Sequence, residues 1–139
     1  MTTQGAPVGF NALELAILNW MQTRYSHPTL SAQLESARFL QRKWTGHGCY
    51  VDFVVAKAIA PLDLGDFGGH WPIDGPQITS SAIDHGGAAI LWGQDGYPDC
   101  IEMYAYGGFF HDHVVDFVLS PSPKLDFVHW RPSGRVGQG

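Results

Sequence analysis

Positive charge is scarce in this chain. Eight Lys and Arg stand against thirteen Asp and Glu in 139 residues, a formal charge of −5 at pH 7. A phosphate backbone needs clustered cations to displace its counterions, so nucleic acid is excluded as the expected partner. A basic protein surface suits the chain better. Cysteine is nearly absent as well. Cys49 and Cys100 are too few and too far apart for a disulfide scaffold, and neither sits in a CxxC pair. Both are expected to be reduced, mostly buried thiols. No apolar run approaches the roughly 20 residues that span a bilayer. The opening MTTQGAPVGF also lacks the basic start and apolar core of a signal peptide, so a soluble, cytoplasmic protein with no membrane partner is expected.

Charged residues are also few, at 15% of the chain, against 45% hydrophobic and 13% aromatic residues. That balance excludes a disordered chain and fits one domain with a substantial core. The 17 Gly and 9 Pro imply short elements joined by many turns.

Hydrophobic spacing orders the first third of the chain. Phe10, Leu13, Ile17, Trp20 and Met21 recur at steps of three and four, which places them on one helical stripe. Asn11 with Glu14 is a capping-box variant, and His27-Pro28 ends the helix because the residue before proline is pushed out of the helical region. A second helix is predicted from Thr29 or Ser31 to about Trp44, with Leu30, Leu34, Ala37 and Leu40 or Gln41 inward. On that reading Arg42 and Lys43 lie at the negative end of the helix dipole, and Gly46 supplies a left-handed cap. Residues 10–45 thus form an antiparallel helical hairpin.

The period then falls to two. From Cys49 to Ala56, Val51, Phe53 and Val55 share one face and Tyr50, Asp52 and Val54 the other, which predicts a strand. PLDLGDFGGHWPIDG has no period and reads as a long connection; a short strand is possible between Ile73 and Ile83. GAAILWGQ, the turn Asp95-Gly96 and DCIEMYAYGG form a β-hairpin, in which Ile101, Met103 and Ala105 oppose Cys100, Glu102, Tyr104 and Tyr106. VVDFVL and Asp126 to Trp130 are further strand candidates. The prediction is an α+β fold, an N-terminal helical hairpin packed on an antiparallel sheet of about four to six strands. Residues 1–9 are expected to be a flexible N-terminus, 10–130 a single domain and 131–139 a disordered tail.

The segments QRKWTGHGCYVDF, GAAILWGQDGYPDCIEMYAYGG and VVDFVL, following the helical hairpin, resemble those of a family of small uncharacterised bacterial α+β proteins. The resemblance spans roughly Phe10 to Leu119 and rests on turn and aromatic positions. It implies a fold and brings no activity with it.

No nucleophile signature is present. Ser80 and Ser81 lie outside a GxSxG elbow, and GDFGGH and HGGAA lack the Lys-Thr/Ser of a phosphate loop. Three constellations remain. His111 and His113 present two imidazoles on one side of an extended segment, with Asp116 behind them. They are candidate metal ligands if His47, His70, His85 or His129 supplies the rest. Asp52 and Glu102, flanked by Tyr50, Tyr104 and Tyr106, are candidate general acid–base carboxylates if their face forms a pocket. The third is a binding surface of rings among acids: Phe67, Trp71, Asp99, Glu102, Tyr104, Tyr106, Phe109, Phe110 and Asp112, with His70 beside them. The third fits the acidic charge and the missing catalytic motifs best. It makes the chain a non-enzymatic protein-binding module without a cofactor, for example an immunity protein that masks the basic active site of a toxin. The alternative is a small metal-dependent or carboxylate-based enzyme or ligand-binding protein. Self-association through an edge strand, giving a homodimer, is a third possibility.

Overall fold

The computed structural model describes residues 9–110 and 114–121. The strand expected at 126–130 and the tail at 131–139 lie outside the described residues, as do His111, Asp112, His113 and His129. Two helices, α1 (Ala12–Tyr25) and α2 (Pro28–Glu35), precede six strands: β1 (Arg38–Trp44), β2 (Gly48–Val54), β3 (Ile73–Ser80), β4 (Ile83–Gln94), β5 (Tyr97–Ala105) and β6 (Val118–Pro121). The strands form one open antiparallel sheet in the order β1-β2-β5-β4-β3-β6. The fold is α+β, with the N-terminal helices packed on one face of the sheet. Among the described residues no helix is long and apolar enough to cross a membrane.

Helix α1 starts as its sequence dictates. The Glu14 backbone N–H donates to Asn11 Oδ1 and the Asn11 N–H donates to Glu14 Oε1, each at 2.9 Å, which satisfies two of the free amides of the first turn. Leu13, Ile17, Leu18 and Met21 are buried. At the far end the Tyr25 hydroxyl donates to the Asp74 carbonyl at 2.6 Å, fastening the helix to β3. Burial pushes that phenol up to about 12.

Helix α2 differs from its prediction at both ends. Its cap is His27, whose Nδ1 accepts the Leu30 N–H at 3.3 Å, and Pro28 takes the first helical position, where its missing N–H costs nothing. It stops at Glu35, and residues 38–44, predicted to continue it, form edge strand β1. The reason is tertiary. β2 is buried and has two edges of backbone polar groups; β5 pairs with one and β1 with the other. The stripe through Leu40 breaks as well, since Leu40 is exposed at a register shift between Phe39 and Gln41. Arg42 therefore does not lie at the C-terminal end of α2. It turns inward instead, and Gly46, at φ +88°, lies in the β1–β2 turn, where the Thr45 N–H donates to the Gly48 carbonyl at 3.0 Å.

The hairpin β4–β5 turns at Asp95 (φ +55°) and Gly96 (φ +86°), the conformation an Asp-Gly pair favours. Its tip is clamped: the Gly96 carbonyl accepts the Leu62 N–H at 2.8 Å and the Gln33 side-chain amide at 3.1 Å. Facing the helices are Cys49, Val51 and Phe53 of β2, Ile101 and Met103 of β5, Ala89 and Leu91 of β4, and Ile73 and Ile78 of β3, all buried. Burying one side chain the size of Phe53 contributes about 1.5–3 kcal/mol.

Candidate functional site

Among the described residues the opposite face of the sheet carries no helix, and alternation brings the polar and aromatic residues there together. Lys43, Tyr50, Glu102, Ile90 and Asp74 stand side by side across β1, β2, β5, β4 and β3. The neighbouring row holds Gln41, Asp52, Cys100 and Trp92, and the row on the other side holds Gly48, Tyr104, Ala88 and Gln77. Tyr106 continues from β5, its ring edge-on to Tyr104 with centroids 6.1 Å apart. Trp92 and Tyr50 are 37% and 39% exposed, far more than aromatic side chains under a covering layer.

Glu102 lies at the centre. Its Oε1 accepts the Trp92 indole N–H at 2.9 Å, and its negative charge is the main reason the Tyr50 hydroxyl is pushed above its ordinary value. Asp52 Oδ2 accepts the Gln41 side-chain amide at 2.7 Å. Among the described residues Arg42 pairs with Glu14 and His27 Nε2 meets Asp66 at 2.9 Å, so neither Asp52 nor Glu102 meets a cation. The two acids are diagonal neighbours, because Asp52 stands opposite Cys100 and Glu102 opposite Tyr50. Each carboxylate has its own donor, so they do not share a proton as a catalytic dyad does.

Cys100 lies on this face and Cys49 on the buried one; both thiols are free. Burial first, then the bond to Asp52, pushes the Cys100 thiol up to about 12, and burial followed by the charge of Glu14 does the same for Cys49. Neither is a ready nucleophile, since the reactive form is the thiolate. The arrangement offers hydrogen-bond acceptors with negative charge, surrounded by flat rings.

The other residues read as site candidates are scattered. Phe67 packs against Tyr25 and His27, with centroids 5.4 and 4.9 Å away, on the helical side. Trp71 is half-buried at the margin of the core, beside Gly93. Phe110, expected at the surface, is 3% exposed: its ring belongs to the core, and its N–H donates to the Gly46 carbonyl at 3.1 Å. That bond sets Phe110 against the β1–β2 turn, with its ring 6.4 Å from that of Trp44. Its neighbour Phe109 is 67% exposed and stacks on His47. Asp99 is exposed and lacks a register partner in β4; burial of its carboxyl, then the charge of Asp52, pushes its pKa up. Asp112 lies outside the described residues.

Asp116 is occupied structurally. Its carboxylate accepts the Ser81 hydroxyl at 2.7 Å and the Ser80 hydroxyl at 3.3 Å, and the Ser81 bond holds it below the usual carboxylate range. Of the imidazoles proposed as its co-ligands, His47 contacts the Gly108 carbonyl and His70 the Trp71 carbonyl. No group of three metal-binding side chains occurs among the described residues.

Trp92 and Tyr50 are central here, yet sequence reasoning left Trp92 out and used Tyr50 only as a flanking phenol. Trp92 stands next to Leu91 in a run with no polar alternation, and only the bulged register of the hairpin reveals its direction. No known family, curated protein or solved structure matches this chain.

Proposed function

We propose that this chain is a non-enzymatic binding module whose open sheet face takes the basic surface of a protein partner. One observation carries the reading: among the described residues nothing packs over the face opposite the helices, which gathers Trp92, Tyr50, Tyr104 and Tyr106 around two carboxylates, Asp52 and Glu102, that no described cation neutralises. Aromatic rings supply contact area at low entropic cost, and uncompensated acids steer a basic partner and fix its register. The net charge of −5 acts in the same direction at longer range. A cytoplasmic protein that neutralises a toxin by covering its basic active site is the concrete form of this reading, and it requires an acidic surface built without catalytic machinery.

The test is a comparison of baits. Native protein and the Glu102→Lys variant, matched for folding by circular dichroism, are used to capture partners from the same lysate at low and at high salt. The reading expects a stoichiometric partner that the native bait holds at low salt, that salt releases and that Glu102→Lys fails to hold. A partner retained equally by both baits contradicts the assignment of this face. Capture of the chain's own copies would replace a foreign partner with a homodimer.

A further inference from the structure

A guanidinium can use two features at once: a carboxylate presented in a fixed orientation and a flat ring to stack on. The centre of the open face has both. The Trp92 indole N–H, at 2.9 Å, holds one oxygen of Glu102 in place. Tyr50 stands directly opposite on β2. Both rings expose more than a third of their surface.

The cations among the described residues do not satisfy Glu102. Lys43 lies on the same face but on β1, two strands from Glu102, or roughly 9–10 Å at the usual strand spacing. Arg38 stands opposite Val54 on the same edge strand. Arg42 points through to the buried face and pairs with Glu14, and Lys57 sits 4.1 Å above the Tyr97 ring. A cationic edge beside an acidic, aromatic centre leaves the strip over β5 and β4 as the place for an incoming positive charge.

We infer that the open face holds an arginine side chain of its partner, with the guanidinium paired to Glu102 and stacked on Trp92. This rests on the binding-module reading and names the chemistry it selects. An ammonium can sit over an indole too, but it is compact and strongly hydrated and has no plane to stack, so it gains less here than a guanidinium. A guanidinium is weakly hydrated, forked and planar, so it uses both features together. Lys43 and Arg38 repel a second cation at the β1 edge and thereby confine the arginine to the centre.

The test uses ¹⁵N-labelled protein titrated with N-acetyl-triarginine amide and, separately, with the trilysine counterpart at low ionic strength. The Trp92 indole N–H resonance is identified by its loss in Trp92→Phe. The arginine peptide is expected to shift this resonance saturably, with a dissociation constant about fivefold or more below that of the lysine peptide. Glu102→Gln, which keeps the shape of the side chain, is expected to abolish the preference while circular dichroism stays unchanged. Equal affinities for the two peptides overturn the arginine inference, as do shifts that fall away from Tyr50, Glu102 and Trp92, or no shift at millimolar peptide. The bait comparison does not depend on arginine, so the open face as a binding surface stands or falls separately.

Discussion

Replacing Arg42 by Met removes the cation from a heavily buried ion pair. Glu14 is 0% exposed, and its carboxylate accepts three donors: the Asn11 N–H, Arg42 Nε at 2.6 Å and the terminal guanidinium nitrogen of Arg42. Arg42 also donates to the Gly9 carbonyl at 3.0 Å, so it ties β1 to the start of α1. In Arg42→Met the Glu14 charge stays buried with only its capping bond. Removing one partner of a buried pair costs about 3–5 kcal/mol, and the Arg42 side chain, at 20% exposure, places this pair near the lower end, about 3 kcal/mol. For a domain of this size that corresponds to a melting temperature lower by roughly 10–15 °C. The reverse change is milder. Glu14→Gln keeps an oxygen for the Asn11 N–H and leaves a guanidinium that can turn to water, so it should cost about 1–2 kcal/mol. The double variant leaves no buried charge, and its loss should be smaller than the sum of the single losses by about 1 kcal/mol or more. Urea denaturation of the four proteins measures the cycle. A loss below about 1 kcal/mol for Arg42→Met, or strict additivity, refutes the claim that this pair locks the edge strand to the helical layer.

Further outcomes follow from single contacts. Ser81→Ala removes the main donor to Asp116, so its carboxyl pKa should rise back toward the ordinary value. Because the folded pKa is depressed, the stabilisation from this bond is present above the unfolded pKa and fades as pH falls through the folded value; a carboxyl ¹³C titration that Ser81→Ala leaves unmoved would contradict the assignment. Cys100, with its thiol pushed up to about 12, should react with iodoacetamide at pH 8 far more slowly than a free thiol, and equal rates would show that its burial and its bond to Asp52 are absent in solution. Gly96→Ala places a Cβ at φ +86° and against Pro61, so it should destabilise the fold by about 1–3 kcal/mol; an unchanged melting curve would contradict the clamped hairpin tip.

Local signals were legible where they were sufficient. The Asn11–Glu14 capping box, the end of α1 near His27-Pro28, the alternation of β2 and the Asp-Gly hairpin could each be read from a few adjacent residues. The residues after Glu35 could not, because RFLQRKW contains no β-branched side chain and continues a helical spacing. Its strand conformation comes from the unpaired edge of β2, a tertiary demand that outweighs local propensity. The candidate site was half visible. Glu102, Tyr104 and Tyr106 showed their common face by alternation, whereas Trp92 required the register. A two-residue turn at Asp95-Gly96 pairs Gln94 with Tyr97, and counting back from it without a bulge sets Trp92 against Asp99. The shift between Trp92 and Gly93 sets it against Cys100 instead and turns the indole toward Glu102. The fate of Phe110 was hidden for a similar reason: whether a loop ring is buried depends on strands far away in sequence.

An amide NMR footprint on labelled protein, taken with the partner recovered by the native bait, tests most directly whether the open sheet face binds that partner. Resonances of Tyr50, Asp52, Trp92, Glu102 and Tyr104 should shift or broaden while those of α1 and α2 stay in place. Changes confined to the helices, with the strand residues of the open face unmoved, would contradict binding through that face.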